Sequence, residues 1–266
     1  MEVRKVIFIL ITILISAGCD SQESFHYVKK GEGKPTVIFE SGLGDNSNTW
    51  SLIQEIVSKT TTTISYDRLG LGFSSSTKNP RTIENLVLEL NQFLTTNNIE
   101  EPYILVGHSI GGLIIRKYQH DYPEKIAGLI LVDPTDEYFH ERSYAIIGKQ
   151  ASDSIKDMLN YHYSGAPPSV QSEYTEVDNT CKKMQEIAPP TTLPVTFLVS
   201  YQPSDFLNEV NLKIRKELVV EWSVKASQTK VISTIKSGHY IHQNEPFLVI
   251  DAITDMIDDL KNSSSK

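Results

Sequence analysis

Apolar and polar positions along this chain follow two alternating rhythms. KPTVIFESG, TTTISYD, YILVG, KIAGLILVDP, LPVTFLVS and TKVISTIKSG are short runs dense in β-branched and aliphatic residues, and each predicts a strand. Between them the apolar positions move to helical spacing. Trp50, Ile53, Ile56 and Val57 make one face; Ile83, Leu86, Leu90, Phe93 and Leu94 make another. IGGLIIRKYQHDYP predicts a helix stopped by Pro123, and EPFLVIDAITDMIDDL a closing helix begun at Pro246. Strands that are apolar throughout, each followed by a helix, predict an α/β fold with a mostly parallel central sheet flanked by helices. The folded domain is expected over residues 27–260, and residues 261–266, KNSSSK, read as a disordered tail.

In an open parallel sheet, ligands bind beyond the carboxyl ends of the strands. The residues that follow each run are therefore the informative ones: Ser41-Gly42-Leu43-Gly44, Asp67-Arg68, His108-Ser109-Ile110, Asp133, the segment after Ser200, and His239. A serine, acids and a histidine gather at one edge. Gly107-His108-Ser109-Ile110-Gly111 has the form G-x-S-x-G, in which a serine sits on a strained strand-to-helix turn with its oxygen above the sheet. Glycine two places to either side removes a collision where strand and helix cross. From composition alone the pattern arises in roughly one chain in ten of this length. Its weight comes from the strand before it, the helix after it and the histidine downstream.

From about Tyr27 to Leu260 the chain resembles an α/β-hydrolase-fold protein of the compact esterase and lipase-like kind. The resemblance rests on the GHSIG elbow, on YDRLGLGFS (residues 66–74), on SGHYIHQNEP around His239, and on ESGLGDN where many members have His-Gly. It implies Ser109 as nucleophile and His239 as the base that takes and returns its proton. His242 is the competitor three residues on, expected to point towards the helix cap, and His108 is expected to pack beneath the elbow. The acid that orients His239 is assigned to Asp133, at the end of LILVDP, with Asp205 in YQPSDFLN as the alternative. The oxyanion hole is assigned to the backbone N–H of Ile110 and, by the resemblance, to that of Leu43.

The segment from Asp133 to LPVTFLVS is too long for a plain connection and carries helical pieces such as HERSYAIIGKQ and SIKDMLNYHY. In the family an insertion here caps the site, so residues 135–193 are expected to form a helical cap. Tyr138, Phe139, Tyr144, Tyr161 and Tyr163 are its candidate substrate-pocket residues.

The amino terminus reads differently. Arg4 and Lys5 precede an apolar run from Val6 to Ile15, too short to span a bilayer comfortably and proportioned like the core of a signal peptide. Ser16-Ala17-Gly18-Cys19 resembles the bacterial lipobox, with Ser16 where that motif usually has leucine. Residues 1–18 are thus expected to be a signal peptide, Cys19 the lipidation site, and residues 19–26 a linker. The protein would be exported and anchored to a bacterial membrane, the alternative being a secreted or periplasmic form. Cys181 then has no disulfide partner. A net charge of −8 argues against nucleic acid. No histidine or cysteine spacing suggests a metal, and the expected chemistry needs no cofactor.

Together these readings predict a monomeric, membrane-tethered serine hydrolase that cleaves small or lipid-like carboxylic esters through an acyl-enzyme. Amidase and acyltransferase chemistry use the same parts. A different class, a ligand receptor or sensor on the same scaffold, is the alternative.

Overall fold

The computed structural model describes residues 23–204, 207–226 and 228–264. The expected signal peptide, Cys19 and Asp205 lie outside the described residues. Seven strands form one sheet: β1 (Tyr27–Lys30), β2 (Thr36–Glu40), β3 (Thr63–Tyr66), β4 (Tyr103–His108), β5 (Ile126–Val132), β6 (Val195–Ser200) and β7 (Thr229–Thr234). Their order is β1-β3-β2-β4-β5-β6-β7. All neighbours pair in parallel except β1, which runs antiparallel to β3. The sequence pattern missed β1, because YVKK is a four-residue edge strand with two lysines and no buried position.

Helices α1 (Ser51–Val57), α2 (Ile83–Thr96), α3 (Ile110–Asp121) and α9 (Pro246–Ser264) follow the expected periodicity, and a single unexpected turn, α8 (Ile241–Asn244), precedes α9. α9 runs on to Ser264, so residues 261–264 continue a helix instead of joining a disordered tail. Lys261 in its last turn complements the negative end of the helix dipole. The cap holds α4 (Phe139–Ile147), α5 (Lys149–Tyr163) and α6 (Pro168–Met184). A further helix, α7 (Glu209–Lys225), joins β6 to β7 and has no counterpart in the sequence reading.

Alternate side chains of the central strands enter two cores. Leu105, Leu129, Leu131 and Phe197 pack with α2, α3 and the Val219–Trp222 turn of α7 on one face. Val106, Ile130, Val132 and Leu198 pack with Trp50, Ile53 and the inner side of α9 on the other. Burial on both faces is what makes these strands apolar throughout. The register sets Glu40 beside Gly107, His108 beside Val132 and Ser200 beside Thr234. The carboxyl ends of β2, β4, β5, β6 and β7 therefore line up on one edge, under the cap.

Candidate active site

Ser109 sits between β4 and α3 with φ 54° and ψ −123°, a conformation L-residues rarely adopt. Two contacts hold it there. A Cβ on Gly107 would lie 2.7 Å from the carbonyl oxygen of Gly111, and one on Gly111 would lie 2.7 Å from that of Ser41. Only glycine fits at both places, which is the collision argued from the GHSIG spacing. Ser109 N–H donates to Val132 O, and its carbonyl accepts from Gly112 and Thr135.

The next strand supplies the acid. Asp133, at the end of β5, also has positive φ, 43°, and is buried. Its Oδ2 lies 2.7 Å from His239 Nδ1, in the loop after β7. Its Oδ1 accepts from the Ser200 backbone N–H at 2.7 Å and from the Arg215 guanidinium of α7. Arg215 was not anticipated, since its helix was not. Asp133 thus holds the histidine partner position that the sequence left open between it and Asp205.

Ser109, Asp133, His239 and Arg215 line one cavity of about 570 Å³, within the usual range for small-molecule sites. Its other walls are mostly apolar, among them Leu131, Phe197 and Val199 of the sheet, Leu218 and Trp222 of α7, and Phe139 and Leu159 of the cap. From Arg215 to Trp222 is seven residues of helix, about 10 Å of depth. Ser109 Oγ makes no hydrogen bond among the described residues. It shares the cavity with the half-exposed ring of His239 without a direct bond.

Residues 35–152 match the family model for the α/β hydrolase fold. The chain has the α/β-hydrolase fold. It is 26% identical over 229 residues to the uncharacterized protein YqjL of Bacillus subtilis, covering 86% of this chain and 85% of that one. An esterase from Thermogutta terrifontis superposes with a TM-score of 0.67 at 17% identity, over 90% of this chain and 94% of the esterase. A variant of an epoxide hydrolase from Bacillus megaterium gives 0.66 at 17%, over 89% and 97%.

On this fold, Leu43 and Ile110 both line the cavity, and no group among the described residues takes up either backbone N–H. The loop that carries Leu43 is held by Arg68, which donates to the carbonyls of Ser41 (2.8 Å) and Gly42 (2.7 Å). Arg68 also pairs with Glu40 of β2 at 2.6 Å and with Glu173 of α6 at 2.8 Å, all three side chains being buried. One cation thereby locks the loop, the sheet and the cap together. Asp67 beside it is architectural: its carboxylate accepts from Ser47 N–H at 2.7 Å and Phe73 N–H at 2.8 Å.

His108 lies beneath the site as expected, its Nε2–H donating to His239 O at 2.9 Å. Burial, then His242 and His239, push its pKa well below the usual histidine value. His242 turns away to Thr49 Oγ1 at 2.8 Å, and burial, with a smaller push from His239, brings it to about 4. His239 thus stands over two neutral imidazoles. Cys181 is buried, and burial pushes its thiol up to about 12, which leaves it a packing residue.

Of the five candidate pocket aromatics, Phe139 and Tyr163 line the cavity. Tyr138, Tyr144 and Tyr161 do not. Tyr138 hydroxyl donates to Gln185 O, Tyr144 stacks on His140, and Tyr161 is 84% exposed. The helical phase of α4 and α5 turns these rings towards other cap elements or solvent. Their place is taken by Trp222 and Leu218 of α7. Among the described residues, no group of histidine, cysteine, aspartate or glutamate is placed to hold a metal ion.

Proposed function

We propose that this protein is a serine hydrolase that cleaves carboxylic esters through an acyl-enzyme. The observation that carries the reading is the Asp133–His239 contact at 2.7 Å, in one cavity with the strained Ser109. Asp133 would hold the imidazole with Nδ1 protonated, leaving Nε2 free to accept the Ser109 proton. Ser109 Oγ then attacks the ester carbonyl, and the developing oxyanion takes hydrogen bonds from Leu43 and Ile110 N–H. His239 returns the proton to the leaving alcohol, and water repeats the sequence to release the acid. Proton transfer needs about 2.6–3.2 Å between Oγ and Nε2, a contact that tightens when substrate binds. The acyl chain would lie along α7 towards Trp222, in the apolar part of the cavity. Serine at the elbow speaks against epoxide chemistry, for which the family uses aspartate.

We further propose that Cys19 is lipidated and tethers the protein to a bacterial membrane. Acyl chains contribute about 0.8 kcal/mol per buried methylene, so two or more long chains anchor stably.

A fluorophosphonate probe tests the enzyme reading. Rapid labelling that disappears in Ser109→Ala supports it; a folded protein that stays unlabelled refutes it. The second reading, a ligand receptor on the same scaffold, is favoured by the open Ser109–His239 contact alone. It predicts no labelling, together with tight binding of an apolar ester that is recovered intact.

A further inference from the structure

The start of the folded chain and the catalytic opening share one edge of the sheet. β1 pairs Tyr27 with Tyr66 and Lys30 with Thr63, so it begins at the edge where β3 ends. The residues ahead of it are pinned there. Ser24 exchanges hydrogen bonds with Ser75, through its N–H to Oγ (2.9 Å) and its carbonyl to N–H (2.9 Å). His26 N–H donates to Ser74 Oγ at 2.9 Å, and its ring meets Asp67 at 3.1 Å and the Phe73 ring at 5.2 Å. Glu23 therefore stands beside the turn that follows β3. That turn abuts the cap, where a Cβ on Gly70 would collide with Ser169 Oγ. Cys19 precedes Glu23 by four residues, which span at most about 14 Å when fully extended. Acyl chains on Cys19 would hold a bilayer within about that distance of this edge.

The same edge carries large exposed apolar side chains. Phe73, in the turn, is 76% exposed, and Tyr161, at the end of α5, is 84% exposed. The Tyr161 carbonyl accepts from Ser164, in the α5–α6 turn that leads to Ser169. Tyr240, beside His239, is also exposed. Aromatic rings with one wet face are the type that settles at headgroup depth. Exposure alone does not choose the edge, because Val224, at the opposite end of α7, is equally open. The short tether chooses it.

We propose that the catalytic edge of this protein docks on the bilayer that holds Cys19, with Phe73, Tyr161 and Tyr240 in the headgroup layer. Esters dissolved in that bilayer then enter the cavity without crossing bulk water. The docking rests on the tether, and the route of entry on the hydrolase reading.

The test uses the full chain, made with its own amino terminus and reconstituted into phosphatidylethanolamine–phosphatidylglycerol vesicles whose acyl chains carry bromine. Phe73→Trp, Tyr161→Trp and Val224→Trp each add one indole to the buried Trp50 and Trp222. Quenching of the added fluorescence at positions 73 and 161 by at least twofold, with none at 224, is the expected result. Equal quenching at all three positions, or none at any, overturns the docking. Intact mass is measured on the same samples, and a Cys19 without acyl chains overturns it as well. Quenching does not require turnover. An inactive protein that shows the expected pattern keeps the docking and removes only the hydrolase reading.

Discussion

Asp133 divides its carboxylate between two partners, His239 at Oδ2 and Arg215 at Oδ1. Arg215 is mostly buried and Asp133 almost wholly so, so solvent screens the pair little. Arg215 and the Ser200 backbone N–H on the far oxygen together fix the carboxylate's direction towards the imidazole. His239 is also faced by the neutral rings of His108 and His242 and by Asp45 across the loop after β2.

Replacing Arg215 should therefore loosen the carboxylate that orients the base. In Arg215→Gln, kcat is expected to fall about tenfold or more with KM little changed, because the carboxylate loses one of the groups that aim it at His239. A merely structural arginine would lower the melting temperature without that split between kcat and KM, so unfolding measured beside the kinetics separates the two.

Removing the carboxylate is more severe. Asp133→Asn leaves Arg215 without its partner and allows the wrong imidazole tautomer, and kcat should fall about 10⁴-fold. Asp205→Asn should leave turnover within a few fold. Steady-state rates on a nitrophenyl ester check both.

Cavity depth should be readable as chain-length preference. Leu159→Trp fills the cavity from the cap side and should lower kcat/KM for long acyl esters at least tenfold, with short esters little changed. Tyr161→Ala, outside the cavity, should leave hydrolysis of a short soluble ester unaltered. A series of nitrophenyl esters of increasing length gives the comparison.

The clamp at Arg68 makes a stability prediction. Glu173→Gln leaves half of the guanidinium's charge pairing unmet inside the protein, and the cost should be about 3 kcal/mol. Because Arg68 also holds the Leu43 loop, kcat should fall while the fold persists. Denaturant unfolding and rates measured on one sample check the pair.

His242 makes the fold sensitive to acid. Its pKa is about 4 in the folded protein against about 6.5 when unfolded. Between those values the unfolded chain binds a proton that the folded one refuses, so stability falls as pH drops from 6.5 towards 4. The loss from this residue is about 3 kcal/mol, and His108 adds to it in the same direction. In His242→Gln the melting temperature should decline less steeply over that interval.

The parts of the site that follow from local rules were legible. GHSIG announced its turn because two glycines and a serine at that spacing serve a steric need along the chain itself. Asp133 and His239 declared themselves by standing just after strands. Arg215 and Trp222 gave no such signal. In EVNLKIRKELVVEWSVK the apolar residues are spread around the helix, with Val220 and Val224 exposed opposite Leu218 and Trp222. No amphipathic face stands out, although the helix forms a wall of the cavity. Arg68 stood out in the sequence only as a residue just after a strand, within YDRLGLGFS. Its ties to Glu40 and Glu173 span 28 and 105 residues of sequence, where no local pattern reaches.

Two ionic struts pin the roof above the reaction chamber, Arg68 to Glu173 and Arg116 to Glu137, the second closing with two bonds of 2.6 and 2.8 Å. Lifting that roof would strand charges in a dry interior. With the roof so fixed, admission to the cavity is expected to depend on a molecule's girth. A branched or multi-ringed ester should then react more slowly than a slender one of equal lability, which a matched pair of nitrophenyl esters would show.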